Sequence, residues 1–163
     1  MGRIICVFTI LFLLDGCSTS PRFYKQSTAL SKAQRQNIKS IAMSHIGAPY
    51  RYGGRDARGF DCSGLVCHIY FEATGVRLPH STRKHYKSSF EISRGEAVAG
   101  DLVFFAIYGG HPDHVGLMLN KKEFIHSSKS RGVIVSSLNE KYYKKRFLSV
   151  RRLNKDLVVL YSK

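Results

Sequence analysis

Residues 114–128 read His114-Val115-Gly116-Leu117-Met118-Leu119-Asn120-Lys121-Lys122-Glu123-Phe124-Ile125-His126-Ser127-Ser128. Two apolar runs flank a polar Asn-Lys-Lys, which predicts a hairpin with strands 114–119 and 123–128. A three-residue turn at 120–122 pairs Leu119 with Glu123 and Gly116 with His126. His114 then lies diagonal to His126 on the same face, within side-chain reach. A two-residue turn would send the two imidazoles to opposite faces.

Further short β-branched or aromatic runs at 102–108, 133–135 and 147–153 join the hairpin in an antiparallel sheet of about five strands. The first half has a different period. Ile38, Ile41, Ala42 and Ile46 follow helical spacing over 28–46, with Gly47 as a stop. Asp61 opens a second helix to Thr74, with Leu65, Val66, Ile69 and Ala73 on one face and Gly75 at its end. Helices first and strands second is an α+β order.

With 163 residues, 44% hydrophobic and 23% charged, the chain is the length of one domain and can bury a core. The net charge of +15 implies polyanionic surroundings. Its distribution is uneven. Residues 17–60 hold eight basic and one acidic residue, residues 121–163 twelve and three, and residues 61–120 five and six. The basic flanks enclose a near-neutral centre without a nucleic-acid recognition motif, so no nucleic acid is expected as partner.

Residues 4–14 form an apolar run of eleven after Arg3. At ~1.5 Å per residue this is too short to cross ~30 Å of hydrocarbon as a helix, and it reads as a signal peptide. Leu14-Asp15-Gly16-Cys17 resembles a lipobox. It implies a signal over 1–16, lipidation at Cys17 and a tether over 17–27, ahead of a domain from 28 to 163, with the membrane as partner through the anchor. That places the protein in a bacterial envelope, with Ser18 resembling the outer-membrane sorting choice. Plain secretion or an uncleaved anchor are the alternatives.

Cys62 and Cys67 lie five residues apart on the second helix, roughly 8 Å between Cα atoms and beyond the ~7 Å limit for a disulfide. A free thiol calls for a chemical reason. Cys62 falls in the first turn, where unpaired N–H groups and the helix dipole favour a thiolate. A nucleophilic thiol needs a base and a group that orients the base. His114 and His126 fit those roles. His68 points away from Cys62, and His80, His85 and His111 read as exposed. Satisfied sheet histidines are the bland alternative, and a metal site of Cys62, His114, His126 and Asp113 is another.

Several segments sharpen this reading: Pro49-Tyr50-Arg51-Tyr52-Gly53-Gly54, Gly59-Phe60-Asp61-Cys62-Ser63-Gly64-Leu65-Val66, Gly100-Asp101-Leu102-Val103-Phe104-Phe105, His114-Val115-Gly116 and Phe124-Ile125-His126-Ser127-Ser128. In order and spacing they resemble the NlpC family of papain-like cell-wall peptidases, from about Asn37 to Leu153. The resemblance implies a minimal papain-like fold and cysteine endopeptidase activity on peptidoglycan stem peptides, without cofactor or metal. The bond implied first is γ-D-glutamyl to diamino acid. D,D cross-link cleavage and an inactive peptidoglycan-binding lipoprotein are the alternatives. Carried over by position, Cys62 is the nucleophile, His114 the base, His126 the third polar residue and Tyr50 an oxyanion donor. Asp61, Ser63 and Ser81 match positions that hold the free amine and nearby polar groups of the stem in some members. His80 departs from the Arg more common after Leu-Pro.

Overall fold

The computed structural model describes residues 30–154. The signal, Cys17, the tether and the segment after Asn154 lie outside the described residues, as do the expectations placed on them.

Helix α1 spans Lys32–Ser44. It starts later than the periodicity predicts because Ser31 closes a capping box with Gln34: the Gln34 N–H donates to the Ser31 hydroxyl at 3.1 Å, and the Ser31 N–H donates back to Gln34 Oε1 at 3.0 Å. Two short strands follow, β1 (Arg55–Asp56) and β2 (Gly59–Phe60), then α2 (Cys62–Thr74). Asp61 caps α2 by accepting from the Gly64 N–H at 2.6 Å, and Gly75 ends it at φ +71°. Both ends match the sequence expectation.

Strands β3 (Ser89–Ile92), β4 (Leu102–Phe105), β5 (His114–Met118), β6 (Glu123–Ser128), β7 (Gly132–Ser137) and β8 (Phe147–Leu153) form one antiparallel sheet in the order β3-β8-β4-β5-β6-β7. The sheet thus has six strands, where the sequence predicts about five, plus the separate two-stranded pair β1-β2. β4 stops at Phe105, before the expected Tyr108, because the Asp113 carboxylate accepts from the Ile107 and Tyr108 N–H groups at 2.7 and 2.8 Å and turns the chain. The short helices α3 (Thr82–Lys87) and α4 (Lys141–Arg146) have no counterpart in the sequence prediction. Six residues are too few to show a helical period.

The four β4 residues are fully buried because the sheet is covered on both faces. Leu102 and Phe104 pack with Leu65, Ile69, Leu117 and Ile125 under α1 and α2, while Val103 and Phe105 pack with Met118, Phe124 and Tyr143 on the other side. Asp101, only 1% exposed, accepts two bonds from the Arg152 guanidinium at 2.8 Å each and one from the Val98 N–H at 2.9 Å. Few buried carboxylates would be tolerated without such pairing.

The head of α2 is fixed by close backbone approach. A Cβ on Gly64 would lie 2.0 Å from the Gly54 carbonyl oxygen, while the Asp61 N–H donates to that same oxygen at 3.0 Å. Gly64→Ala should therefore shift the Gly53-Gly54 loop and cost ~2 kcal/mol or more, of the size seen for overpacked cores. Urea unfolding of the variant measures this. A midpoint equal to that of the parent would mean that the loop yields freely.

Candidate active site

Cys62 opens α2 and lines a cavity of about 650 Å³ together with Tyr50, His114, His126 and Tyr143. Its neighbours come from three elements. The Thr82 hydroxyl lies 3.6 Å from the sulfur, and the Val115 and Ser63 N–H groups are near enough to favour its anion. Thr82 was missed in the sequence because α3 was; a Thr one residue past the helix-capping Ser81 carries no signal of its own.

The hairpin adopts the predicted register. Leu117 pairs with Ile125 and Met118 with Phe124, and the Leu119 N–H donates to the Glu123 carbonyl at 2.9 Å, closing the three-residue turn. This brings His114 Nε2 to 2.9 Å from His126 Nδ1, with the rings edge to face. His126 continues the chain inward: its Nε2 lies 3.0 Å from the Tyr143 hydroxyl and 3.3 Å from that of Ser136. Tyr143 sits on α4 and is also absent from the sequence reading. Gly116 is needed beside this pair, since a Cβ there would come within 2.8 Å of the Phe124 ring and 3.3 Å of the His126 Cβ.

The tautomers follow from this chain. With its Nε2 facing His126, His114 can take a proton from sulfur only at Nδ1. Its Nε2–H then donates to His126 Nδ1, and the His126 Nε2–H donates to Tyr143 or Ser136.

Burial sets the charge state. It pushes the Cys62 thiol up, against the hydroxyl of Thr82 and the N–H groups of Val115 and Ser63 that favour the thiolate. The low-pKa thiolate expected from the helix dipole is thus outweighed in the free protein. Burial also lowers His114 to about 4, partly opposed by Asp113, and His126 to about 2, helped by His114 and Arg131. The resting pair is thiol and neutral imidazole. Tyr50 is raised, first by burial and then by Cys62. It keeps its proton and can donate. Its backbone is held by the Phe60 N–H donating to the Pro49 carbonyl at 3.0 Å and the Arg51 N–H donating to that of Phe60 at 3.1 Å.

Asp61, Ser63 and Ser81 lie near the head of α2 but do not line this cavity. The Asp61 carboxylate accepts from the Gly53 and Gly64 N–H groups, the Ser63 hydroxyl and His80 Nε2, the last at 2.9 Å from both oxygens. Ser81 caps α3.

Two histidine expectations are corrected. His80 is mostly covered because it packs onto Asp61. His85 is completely buried, with Nε2 3.7 Å from the Cys67 sulfur and Nδ1 without a hydrogen-bond partner. α3 turns its face inward, which a polar segment does not announce. His111 is exposed as predicted, and His68 packs edge to face against His45. Cys62 and Cys67 are both free thiols. Among the described residues no group of three or more His, Cys, Asp or Glu side chains is arranged to hold a metal ion.

The chain has relatives among known proteins. The NlpC/P60 family model matches residues 47–152. The chain belongs to the NlpC/P60 family. It is similar to the murein DD-endopeptidase MepS/murein LD-carboxypeptidase of Escherichia coli, 37% identical over 142 residues, covering 85% of this chain and 75% of the relative. It is also similar to the probable endopeptidase NlpC of E. coli, at 35% identity over 93% of this chain and 99% of the relative. A lipoprotein-like NLP/P60 protein from Staphylococcus aureus superposes with a TM-score of 0.69 at 32% identity, over 79% of this chain but 44% of that longer one. These NlpC/P60 neighbours share the helix-plus-antiparallel-sheet fold.

Two measurements test the charge states. Alkylation of Cys62 by iodoacetamide should be slow at pH 7 and rise only above the ordinary thiol range near pH 8.5; fast labelling at pH 6 would reveal a resting thiolate. Buried His85 has a folded pKa of about 4, below the unfolded ~6.5. The unfolded chain therefore binds the proton first. Stability is intact above about pH 6.5 and declines as pH falls towards 4, His85 alone accounting for about 3 kcal/mol. His85→Leu should lose less stability than the parent between pH 7 and pH 4 in urea titrations. Equal losses would mean that His85 is not held neutral.

Proposed function

We propose that this protein is a peptidoglycan endopeptidase that cleaves stem peptides with Cys62 as nucleophile, His114 as general base and His126 as orienting group. One observation carries the reading: His114 and His126 are joined at 2.9 Å beside a free cysteine at a helix head, in one cavity. In the reaction, His114 Nδ1 takes the thiol proton as sulfur attacks the peptide carbonyl. Transfer within the pair overcomes the burial that keeps both neutral at rest. The Tyr50 hydroxyl and a backbone N–H at the head of α2 donate to the oxyanion, one such donor being worth ~10² to 10³ in rate. The imidazolium, steadied through Nε2 by His126, protonates the leaving amine, and water hydrolyses the thioester.

For the bond, two observations favour the D,D cross-link over the γ-D-glutamyl linkage. The MepS and MepH relatives at 37% identity are described as DD-endopeptidases. Asp61, on which a free stem amine would anchor, already has four internal donors including His80. The apolar N-terminal run and Cys17 support attachment to a bacterial envelope membrane by a lipid, with the basic flanks held against anionic wall or headgroups.

Mass spectrometry of muropeptides released from purified sacculi tests the reading. Cross-linked dimers should fall to monomers with the parent protein and persist with Cys62→Ala. Release of muropeptides whose stems end at D-glutamate would identify the γ-D-glutamyl bond instead, and identical products from both proteins would remove the enzyme reading altogether.

A further inference from the structure

One wall of the cavity carries charge that the reaction above does not use. The β6–β7 turn, Ser128-Lys129-Ser130-Arg131, lines it, and Lys129 and Arg131 are both exposed. Among the described residues neither side chain has a carboxylate or hydrogen-bond partner, whereas the ion-paired arginines of the fold, such as Arg58 and Arg152, are matched to Asp56 and Asp101. The two acidic residues of the same cavity are committed elsewhere: Asp113 accepts from two backbone N–H groups, and Glu140 accepts from the Ser137 N–H at 2.6 Å. Arg131 is near enough to His126 for its charge to bear on that ring.

The turn is also held in place. Gly132, at φ +67°, lies so close to Ala48 that a Cβ would come within 2.3 Å of the Ala48 carbonyl oxygen. The Val133 N–H donates to that oxygen at 2.8 Å, and the Gly47 N–H donates to the Val133 carbonyl at 2.9 Å. The Arg131 backbone is thereby tied to the loop that carries Tyr50. A cation on a fixed backbone at the rim of a cleft loses less entropy on meeting an anion than one on a free loop.

We propose that Arg131, assisted by Lys129, forms a subsite for a peptide carboxylate next to the scissile amide, making these two residues specificity determinants of the cleft. The inference rests on the endopeptidase reading for its substrate class. Both bonds considered there provide the anion. A γ-glutamyl linkage leaves its α-carboxylate free on the acyl side, and a diamino acid whose amine is acylated can present a carboxylate on the leaving side. Arg131 is suited to the task because its planar guanidinium can meet a carboxylate with two parallel N–H donors, while Lys129 adds a point charge.

The experiment uses synthetic cross-linked stem peptides in three forms: both carboxylates free, the glutamyl carboxylate amidated, and the diamino-acid carboxylate amidated. Cleavage by the parent protein, Arg131→Gln, Arg131→Lys and Lys129→Gln is followed as kcat and KM. Amidation of one position should raise the parent's KM about ten-fold, and that position identifies the carboxylate. Arg131→Gln should raise KM for the free acid by a similar factor and erase the preference, with Arg131→Lys recovering part of it. A parent indifferent to amidation, or an Arg131→Gln variant that weakens acid and amide alike, overturns the proposal. Binding of the same peptides to Cys62→Ala separates this from the endopeptidase reading. Carboxylate-dependent binding lost in Cys62→Ala/Arg131→Gln sustains the subsite even if no peptide is cut, and binding insensitive to both changes overturns it.

Discussion

The contact between His114 and His126 depends on a register, and much of the remaining structure serves to keep that register. A slip of one residue between β5 and β6 would turn one imidazole to the opposite face. The three-residue turn at 120–122 sets the pairing from one end. Gly116, which leaves room for the Phe124 ring, the Ile125 carbonyl and the His126 Cβ, holds it in the middle. β7 pairs along the whole of β6, from Glu123 with Ser137 to Ser128 with Gly132, and keeps the strand from sliding. Tyr143 and Ser136 then fix the inner nitrogen of His126, so the ring can neither flip nor exchange tautomers without losing a buried hydrogen bond.

Cys62, the proposed nucleophile, arrives by a separate route. Asp61 ends the β1-β2 hairpin and begins α2, and its carboxylate gathers the Gly53 and Gly64 amides, the Ser63 hydroxyl and His80. In this way one acidic side chain fixes the angle at which α2 leaves the loop, and with it the position of the adjacent sulfur. The near absence of space between Gly54 and Gly64 makes that junction stiff. The sheet and the helix meet where the Val115 N–H, one residue beyond His114, favours the Cys62 anion.

Much of this was legible in the sequence. The hairpin register, both main helices, the α+β order and the pairing of His114 with His126 follow from periodicity, caps and turn length. What escaped has physical reasons. α3 and α4 are six-residue helices whose stability comes from tertiary contacts, so Thr82, Tyr143 and the burial of His85 left no pattern in one dimension. β3 lies at a sheet edge and pairs with a strand sixty residues further along the chain. The charge state of Cys62 turned on a competition between the helix dipole and burial, and only three-dimensional packing decides which is larger.

The protonated resting state of Cys62 bears on the durability of the protein. Peroxide and similar oxidants react with sulfur as its anion and convert it to sulfenic and then irreversible higher acids. In the proposed reaction the sulfur stays neutral until His114 takes its proton at a seated peptide, and so presents little of that anion between turnovers. Cys67, pushed up to about 12 by burial, is shielded in the same manner, and the five-residue spacing on one helix keeps the two from joining. On the proposed mechanism, the packing that keeps the thiol protonated thus postpones ionisation until a substrate is seated, so that resistance to chemical ageing and selectivity of attack share one origin.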